Sequence, residues 1–485
     1  MQTHVIRTLA MAAGAAMVVA GCGLKDGVVV VAEGAAPGVA PTTGVDGGTS
    51  GGPVDSPGEP GTVQDPGAGP TGSAADPGTV ADPGTSGGSG SNGGGGSGGG
   101  SGSGGGAVFT VSGSDRTGVT ADTIHIGVHA PVTGAAPLPA RSFEEAGETY
   151  WLWKTQELGE TVLGRSDVVV EFADDKYDPN TARGICRDLA SRNFMVVGGG
   201  GTDQIQACGA LAGVSGFPYF SPGVTEAGLE TATNPWYFAG SMSYKQQGVL
   251  LAAYIKNRFG NAKVGAIITQ TPNFEDAVQG WQQGVQQYGI NLYKTARHSK
   301  GDTSWYNVIR DDFIDNGVEV VYALTAPIDY IRFAQAYPDG AKPQFVGVGV
   351  TKALNAVLGS GCPDVDGGEF FSPFPGLDVI DALDPDFNKA AARFNKPKDD
   401  LALALWSLAK IQDRVFTAYE QAYGSTDLTR EDLRRLMETQ TVKTNLFPDI
   451  RWSANSHFGG TGVHVLKADC AAGIHKTIAQ FKSTF

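Results

Sequence analysis

Basic residues are scarce in this sequence. Lysine and arginine together number 35, against 50 aspartates and glutamates, so the formal net charge is −15. No lysine or arginine occurs between Asp26 and Asp115. Nucleic acids and anionic lipid surfaces repel a chain of this charge. The composition therefore argues against a nucleic-acid partner and against a purely electrostatic attachment to a membrane.

Long apolar runs are also missing. The most apolar stretch near the N-terminus, residues 9–20, is too short to cross a bilayer as a stable helix. It leads into Gly21 and Cys22 and resembles the lipobox of bacterial lipoproteins, in which the signal is cut before a cysteine that then carries lipid. We therefore expect residues 1–21 to be a signal peptide and Cys22 to anchor the exported protein to the outer face of the cell membrane. The alternative is an ordinary secretory signal with an incidental cysteine.

Residues 22–117 contain few of the side chains that build a core. Gly, Pro, Ser, Thr, Ala, Val and Asp make up almost all of residues 36–106. Such a segment cannot bury enough apolar surface to offset the entropy lost on ordering, so we expect a disordered tether. About 75 residues of Gly/Ser-rich chain have an r.m.s. span near 50 Å, which would hold a domain away from the membrane. A binding role for the repeated Asp-Pro-Gly triplets is the alternative.

Signatures of catalysis and of metal or cofactor binding are absent. The five cysteines show no CxxC spacing, which disfavours a zinc site. The stretch GVSGF at 213–217 lacks the second glycine of a GxSxG nucleophile elbow. The stretch GGGGTD at 198–203 lacks the third glycine of a dinucleotide-binding motif. We therefore expect no enzymatic activity, metal or cofactor.

Four cysteines remain if Cys22 carries lipid. In an oxidising compartment an even number of cysteines predicts disulfides, and four cysteines allow three pairings.

Strand and helix patterns alternate through residues 118–485. The first series predicts strands at 123–130, 167–172, 194–197 and 217–220, with helices at 141–154, 178–192 and 203–212 between them. The second series predicts strands at 263–269, 291–294, 318–323, 343–347 and 463–467, with helices at 245–258, 275–287, 330–336, 402–423 and 430–438. Such alternation is typical of parallel sheets with helices on both faces. We therefore predict an α/β protein with two doubly wound parallel sheets.

Two loops of the first series are suited to binding a small ligand. Ligands of open parallel sheets bind beyond the carboxyl ends of the strands. The tetraglycine at 198–201 and Thr202 follow one such strand, and Ser221 to Thr225 follow the next. Glycines allow a ligand to approach the backbone, and the start of a helix presents unpaired N–H groups. The two loops together suit a carboxylate or another small polar group, although each alone is also compatible with an ordinary turn.

The order of several motifs resembles the type I periplasmic-binding-protein family, specifically its branched-chain amino-acid-binding branch of ABC-transporter receptors. The stretches are IHIGVHAPVTG, FADDKYDPNTARGICRDL, VVGGGGTDQIQA, PYFSPGVT and AIITQTPNFEDAVQG, and the resemblance covers about residues 120–480. It implies two lobes with a ligand enclosed in the cleft between them. The resemblance also implies a set of ligand-binding residues, namely Gly201, Thr202, Gly223, Thr225 and Phe274.

The sequence departs from this family at two positions of the expected site. The family's second-lobe tyrosine falls at about Ala326, and the acid that pairs with the ligand's amino group falls at about Gly349. Burying an ammonium without a carboxylate partner is costly, so the case for leucine, isoleucine or valine is weakened. Asp203 or Asp329 could substitute for the missing acid. His129 is a further candidate for a ligand contact.

The resemblance also assigns the lobes and, through them, the disulfides. It places lobe I at about 118–241 and 375–424, and lobe II at about 242–374 and 425–485. Cys186 and Cys208 then share lobe I, and Cys362 and Cys470 share lobe II, which favours those two pairs because a bridge within a lobe leaves closure free. The implied function is that of a lipid-anchored receptor that delivers a small amino-acid-like, amide or carboxylate solute to an ABC permease. A sensory or adhesive surface lipoprotein with the same fold is the alternative.

Overall fold

A computed structural model describes residues 109–134, 137–299 and 301–485 of the 485-residue chain. The expected signal peptide, the lipidation site Cys22 and most of the expected tether lie outside the described residues. Within the described part of the chain, no helix combines the length and the apolarity needed to cross a membrane.

Fourteen strands are present in the described residues. They are β1 (Thr123–Ala130), β2 (Asp167–Asp174), β3 (Met195–Gly198), β4 (Tyr219–Ser221), β5 (Tyr237–Ala239), β6 (Val264–Thr269), β7 (Leu292–His298), β8 (Val320–Leu324), β9 (Gln344–Gly347), β10 (Glu369–Ser372), β11 (Thr441–Val442), β12 (Ile450–Arg451), β13 (Val463–Asp469) and β14 (Ile474–Lys482).

Thirteen α-helices accompany these strands in the same residues. They are α1 (Ala140–Glu144), α2 (Thr149–Leu152), α3 (Pro179–Ala190), α4 (Thr202–Ser215), α5 (Tyr244–Phe259), α6 (Glu275–Tyr288), α7 (Trp305–Asp315), α8 (Pro327–Gln335), α9 (Asn355–Gly361), α10 (Ile380–Leu383), α11 (Pro385–Arg393), α12 (Asp400–Tyr423) and α13 (Arg430–Met437). The helix expected at 141–154 is divided into α1, α2 and a π-helical turn at Trp153–Glu157.

The strands form two main sheets, which confirms the predicted α/β class. The sheet of lobe I has the order β2-β1-β3-β4-β5, and all its pairs are parallel. The sheet of lobe II has the order β14-β13-β10-β9-β8-β6-β7, and its five strands β6 to β10 repeat the 2-1-3-4-5 order of a doubly wound sheet. Strands β13 and β14 extend this sheet in antiparallel orientation, an addition that the sequence pattern did not predict beyond one late strand.

Helix starts follow local capping chemistry where the sequence supplies it. The Asp178 carboxylate accepts a hydrogen bond from the Thr181 N–H at the start of α3, and Pro179 occupies the first helical position. Ser243 and Gln246 form a reciprocal capping box at the start of α5. These signals explain why the observed starts of both helices lie within one residue of the expected ones.

The boundary between the lobes differs from the expected one. Residues from α13 to β12 were expected in lobe II but pack on lobe I. Arg430 of α13 donates hydrogen bonds to Phe194 O at 2.9 Å and to Ala190 O at 2.7 Å, both in lobe I. Leu433 and Trp452 belong to the same buried cluster as β1 and α12. The chain therefore returns to lobe II only near Gly460, before β13.

Residues 109–117 also differ from the expectation, which assigned them to the tether. The Phe109 N–H donates to Ala422 O at 3.0 Å, and the Gly113 N–H donates to a carboxylate oxygen of Asp432 at 2.8 Å. Arg430 and Asp115 form an ion pair at 3.1 Å. This short segment lies along α12 and α13 and belongs to the folded part.

Candidate ligand-binding site

A cavity of about 240 Å³ lies between the two lobes, at the carboxyl ends of their parallel strands. Lobe I contributes the loops that follow β3 and β4. Lobe II contributes the segments that follow β6, β8 and β9. Both sheets are doubly wound, so their ligand-binding edges are these carboxyl ends. The structure thus contains a cleft between two lobes, as the family resemblance implies.

The tetraglycine loop forms one part of the cavity wall. Gly199, Gly200, Gly201 and Thr202 all line the cavity. A Cβ on Gly199 would lie 2.4 Å from the Phe143 ring, and Gly201 has φ of +76°, a conformation that favours glycine. Helix α4 starts at Thr202 and has no side-chain cap, and Asp203 places a carboxylate in its first turn. The positions of Gly201 and Thr202 agree with the expected site, and their contact with a ligand remains a prediction.

The second loop contributes to the cavity in part only. Gly223 lines the cavity and has φ of +99°. A Cβ on this residue would lie 2.6 Å from the Ser241 hydroxyl, so the backbone conformation and Ser241 already require glycine. Thr225 does not line the cavity. It is fully buried, and its hydroxyl donates to an Asp276 carboxylate oxygen at 2.9 Å.

The role expected for Thr225 is therefore corrected. Asp276 also accepts a hydrogen bond from the Glu226 N–H at 2.6 Å. Asp276 is the second residue of α6 in lobe II, whereas Thr225 and Glu226 belong to the loop that follows β4 of lobe I. Thr225 thus connects the lobes and does not contact the cavity.

Two aromatic side chains of lobe II face the tetraglycine loop. Phe274 lines the cavity, as expected, and its ring packs edge-to-face on Tyr244 with centroids 5.9 Å apart. Burial raises the pKa of Tyr244 to about 12, and the Thr202 side chain partly offsets that rise. Tyr244 was not a predicted site residue. Its position at the first turn of α5 gives no signal in the sequence that it reaches a loop 42 residues earlier.

The lobes are in contact around the cavity. Besides the bonds to Asp276, the Asn273 side-chain amide donates to the Asp203 carboxylate, and the Asn355 N–H donates to the Asp400 carboxylate. Each of these pairs joins a residue of lobe I to a residue of lobe II. The two lobes are therefore in direct contact beside the cavity.

Comparison with known proteins identifies the family. The family model described as periplasmic binding protein matches residues 123–473, which is most of the chain. The chain belongs to the periplasmic-binding-protein family. A search of the curated proteins found no match.

Solved structures of this family share the fold at low sequence identity. A fatty-acid ABC-transporter substrate-binding protein from Thermomonospora curvata is 17% identical, with a TM-score of 0.61 over 76% of this chain and 94% of that protein. An ABC-transporter solute-binding protein from R. palustris in complex with benzoate is 16% identical, with a TM-score of 0.58 over 74% and 96%. A branched-chain amino-acid ABC transporter from Thermus thermophilus with bound valine is 15% identical, with a TM-score of 0.60 over 74% and 96%. At these identities the likeness establishes the type I fold, and the ligand has to be considered from the site itself.

In this periplasmic binding protein, the buried Lys352 lies next to Gly349, the position at which the family's acid was expected. Gly349 has φ of +96°, and a Cβ there would lie 3.1 Å from Lys352 Nζ and 3.2 Å from Tyr244 Oη. Lys352 lines the cavity, is 3% exposed and donates its Nζ to Thr325 O at 3.3 Å. Ala326, at the position expected for the family's tyrosine, also lines the cavity. Sequence reasoning missed Lys352 because a single lysine after a strand is usually exposed.

The two acids proposed as substitutes both line the cavity, but their carboxylates already have partners. Asp329 accepts from the Tyr306 hydroxyl at 2.6 Å and from the Thr325 hydroxyl at 3.2 Å. Asp203 accepts from Asn273. Neither acid is therefore placed as a dedicated partner for a ligand ammonium.

His129 does not reach the cavity, contrary to the expectation. Its Nδ1 is 2.8 Å from an Asp175 carboxylate oxygen, and its Nε2 is 2.8 Å from the Tyr219 hydroxyl. All its contacts are inside lobe I, and the side chain is fully buried. Because both ring nitrogens are engaged within the lobe, His129 has a structural role.

Both expected disulfides are present. Cys186–Cys208 joins α3 to α4 within lobe I, with Cα atoms 5.7 Å apart. Cys362–Cys470 joins the residue after α9 to the residue after β13 within lobe II, also at 5.7 Å. Because each bridge lies within one lobe, neither restricts the motion of one lobe against the other.

Proposed function

We propose that this protein is the extracytoplasmic receptor of an ABC importer and encloses a small organic solute between its lobes. The single observation that carries the proposal is a cavity lined by both lobes, with Thr202 on one side and Lys352 on the other. A solute that touches both sides favours the closed form over an open one, which is the hinge mechanism of ligand-induced closure. Family membership supports the same function.

The residues that line the cavity restrict the identity of the ligand more than the similar solved structures do. The similar structures carry names or ligands as different as fatty acid, benzoate and valine. An amino-acid-like, amide or carboxylate solute remains compatible with the polar part of the wall. The absence of an acid at Gly349 weighs against a ligand that relies on its ammonium group.

We further propose that the receptor is held at the outer face of the membrane by lipid on Cys22, through a flexible tether. The support is the run of small residues before Cys22 and the composition of the segment that follows. Substitution Cys22→Ala should move the protein from the membrane fraction to the soluble fraction. Retention of the variant in the membrane fraction, with no acylation detected on the wild type by mass spectrometry, would contradict the anchor.

A thermal-shift screen tests solute binding directly. The panel should hold amino acids, amides, short and medium carboxylates and aromatic acids. Substitution Thr202→Val should weaken binding of the best ligand by about 10- to 100-fold, since it removes one hydrogen bond at the start of α4. The matched control, Thr233→Val, changes an exposed hydroxyl that bonds only to Glu230 O and should leave affinity unchanged.

Transport is tested separately with the ligand that the screen identifies. Cells that lack the protein should lose uptake of that ligand and regain it on complementation. Normal uptake in the deletion strain, combined with tight binding in solution, would favour a sensory or adhesive lipoprotein with the same fold.

A further inference from the structure

The cavity has an apolar region, which we define as Phe143, Leu354, Phe374, Leu401, Leu405 and Leu408. All six side chains line the cavity, and all belong to the buried cluster in which α12 packs against α1. None is more than 6% exposed. Apolar surface of this kind favours hydrocarbon or aromatic groups, because binding removes their apolar surface from water. The polar residues of the wall therefore account for only part of what the cavity can hold.

Lys352 is the only lysine, arginine or histidine among the described residues that line the cavity. Its side chain is almost completely buried, and its Nζ donates to one backbone carbonyl, Thr325 O. Within the described part of the chain it forms no ion pair. A buried ammonium without a counter-ion is costly, so native proteins seldom keep one for packing alone.

Burial has a direct consequence for this amine. It lowers the pKa of Lys352 to about 7, and no acidic neighbour offsets the effect. Asp203, Asp329, Tyr177 and Tyr244 are the other titratable side chains on the cavity wall. Both acids accept hydrogen bonds from protein groups, and the pKa of Tyr244 is raised by burial. His298 bonds to the Thr325 hydroxyl and has a pKa lowered by burial.

Lys352 and Tyr244 place two polar groups beside Gly349. A Cβ at this position would be in close contact with both Lys352 Nζ and Tyr244 Oη. Lys352 Nζ and Tyr244 Oη therefore lie close to one point, and one small acidic group would reach both.

We infer that Lys352 is the counter-ion for a ligand acid group, and that the ligand is a monocarboxylic acid with an apolar body and no free ammonium. The inference rests on the proposed function and specifies its substrate class. The carboxylate would bind Lys352 next to Tyr244, and the apolar body would occupy the apolar region. A free ammonium beside the carboxylate would come close to Lys352, a like charge in a poorly solvated site.

Ligands matched in shape and different in charge test the inference. One set is octanoate, octanamide and 2-aminooctanoate, and a second set is 3-phenylpropanoate, 3-phenylpropanamide and phenylalanine. The full-length protein should bind each acid at least about tenfold more tightly than its amide or amino-acid counterpart. Lys352→Met should abolish the preference for the acid over the amide and retain binding of the amide. The control Lys389→Met, which changes an exposed lysine of α11 away from the cavity, should keep the preference.

The pH dependence provides a second readout that a purely structural lysine would not give. The carboxylate ligands are ionised at pH 7 and above, whereas the free receptor loses the Lys352 proton in that range. Affinity for octanoate should therefore fall about tenfold per pH unit above pH 7, until the pKa of the bound state is reached. In Lys352→Met the affinity should be independent of pH between 7 and 9.

Failure of the inference and failure of the proposed function give different results. Preferential binding of the amino acids, or an acid preference that survives in Lys352→Met, would overturn the inference and leave a solute receptor intact. If the wild type bound none of the six compounds, and native mass spectrometry found no solute captured from culture medium, both would be overturned.

Discussion

Substitution of Lys352 by methionine should stabilise the unliganded protein. Methionine has similar length and adds no polar group, so it removes the buried charge without leaving a large cavity. The pKa of Lys352 is lowered from 10.5 to about 7 in the folded state. At about 1.4 kcal/mol per pH unit this shift corresponds to about 5 kcal/mol at neutral pH and below. Loss of the bond from Nζ to Thr325 O removes about 1 kcal/mol, which leaves a gain of about 4 kcal/mol.

The sign of the pH dependence follows from proton linkage. Between pH 7 and 10.5 the unfolded wild type binds the Lys352 proton and the folded wild type does not, so wild-type stability rises with pH in this interval. The advantage of Lys352→Met should therefore be complete below pH 7, decrease by about 1.4 kcal/mol per pH unit above it, and vanish at about pH 10.

Urea unfolding and thermal melts of the ligand-free proteins at pH 6, 7, 8 and 9 measure this effect. For a folded part of roughly 370 residues, a gain of 4 kcal/mol corresponds to about 5 °C in Tm. The control Lys389→Met should stay within about 0.5 kcal/mol of the wild type at every pH. A destabilised Lys352→Met, or a gain that does not change between pH 6 and 9, would show that the amine is not a desolvated cation.

Two further predictions concern the loop after β4 and the disulfides. Thr225→Ala should lower the free energy of unfolding by about 1 to 3 kcal/mol, because Asp276 loses a buried hydrogen bond. Thr202→Ala should instead weaken ligand binding with little change in the stability of the ligand-free protein. Calorimetric melts and binding titrations that showed a destabilised Thr202→Ala and a weakly binding but stable Thr225→Ala would contradict both assignments. Replacement of both cysteines by serine should cost about 1.4 kcal/mol more for Cys362–Cys470 than for Cys186–Cys208, since sequence separations of 108 and 22 differ in loop entropy by that amount. Equal costs in urea unfolding would contradict the loop-entropy account.

Several features of the fold could be predicted because their causes are local. The strand at Thr123–Ala130 was predicted with its exact bounds, and the Asp178 cap and Pro179 defined the start of α3. Strand β14 and helix α7 were missed. Buried and exposed positions are mixed along β14, and α7 has no capping side chain. Neither element therefore carries the local signal that a sequence pattern needs.

The part of the candidate site that was predicted from sequence is the part formed by the backbone of a glycine-rich loop. Glycines between a strand and a helix allow a ligand to approach the backbone closely, and Gly201 and Thr202 line the cavity. Thr225 was misassigned because its partner, Asp276, lies 51 residues away on the other lobe. His129 was misassigned for the same reason, since the Asp175 and Tyr219 side chains that hold it come from other elements.

The sequence by itself determined an α/β chain with two repeated strand–helix series, the glycine loop at the carboxyl edge of a sheet, and four cysteines able to pair within those series. These properties depend on periodicity and on neighbours close along the chain. Only the tertiary structure decided that residues from α13 to β12 pack on lobe I, and that Lys352, Tyr244 and the apolar residues of α12 share one cavity with Thr202. The burial of a side chain and the presence of a counter-ion depend on residues that are distant in sequence. The chemistry of the site is therefore defined only when the two lobes are in contact.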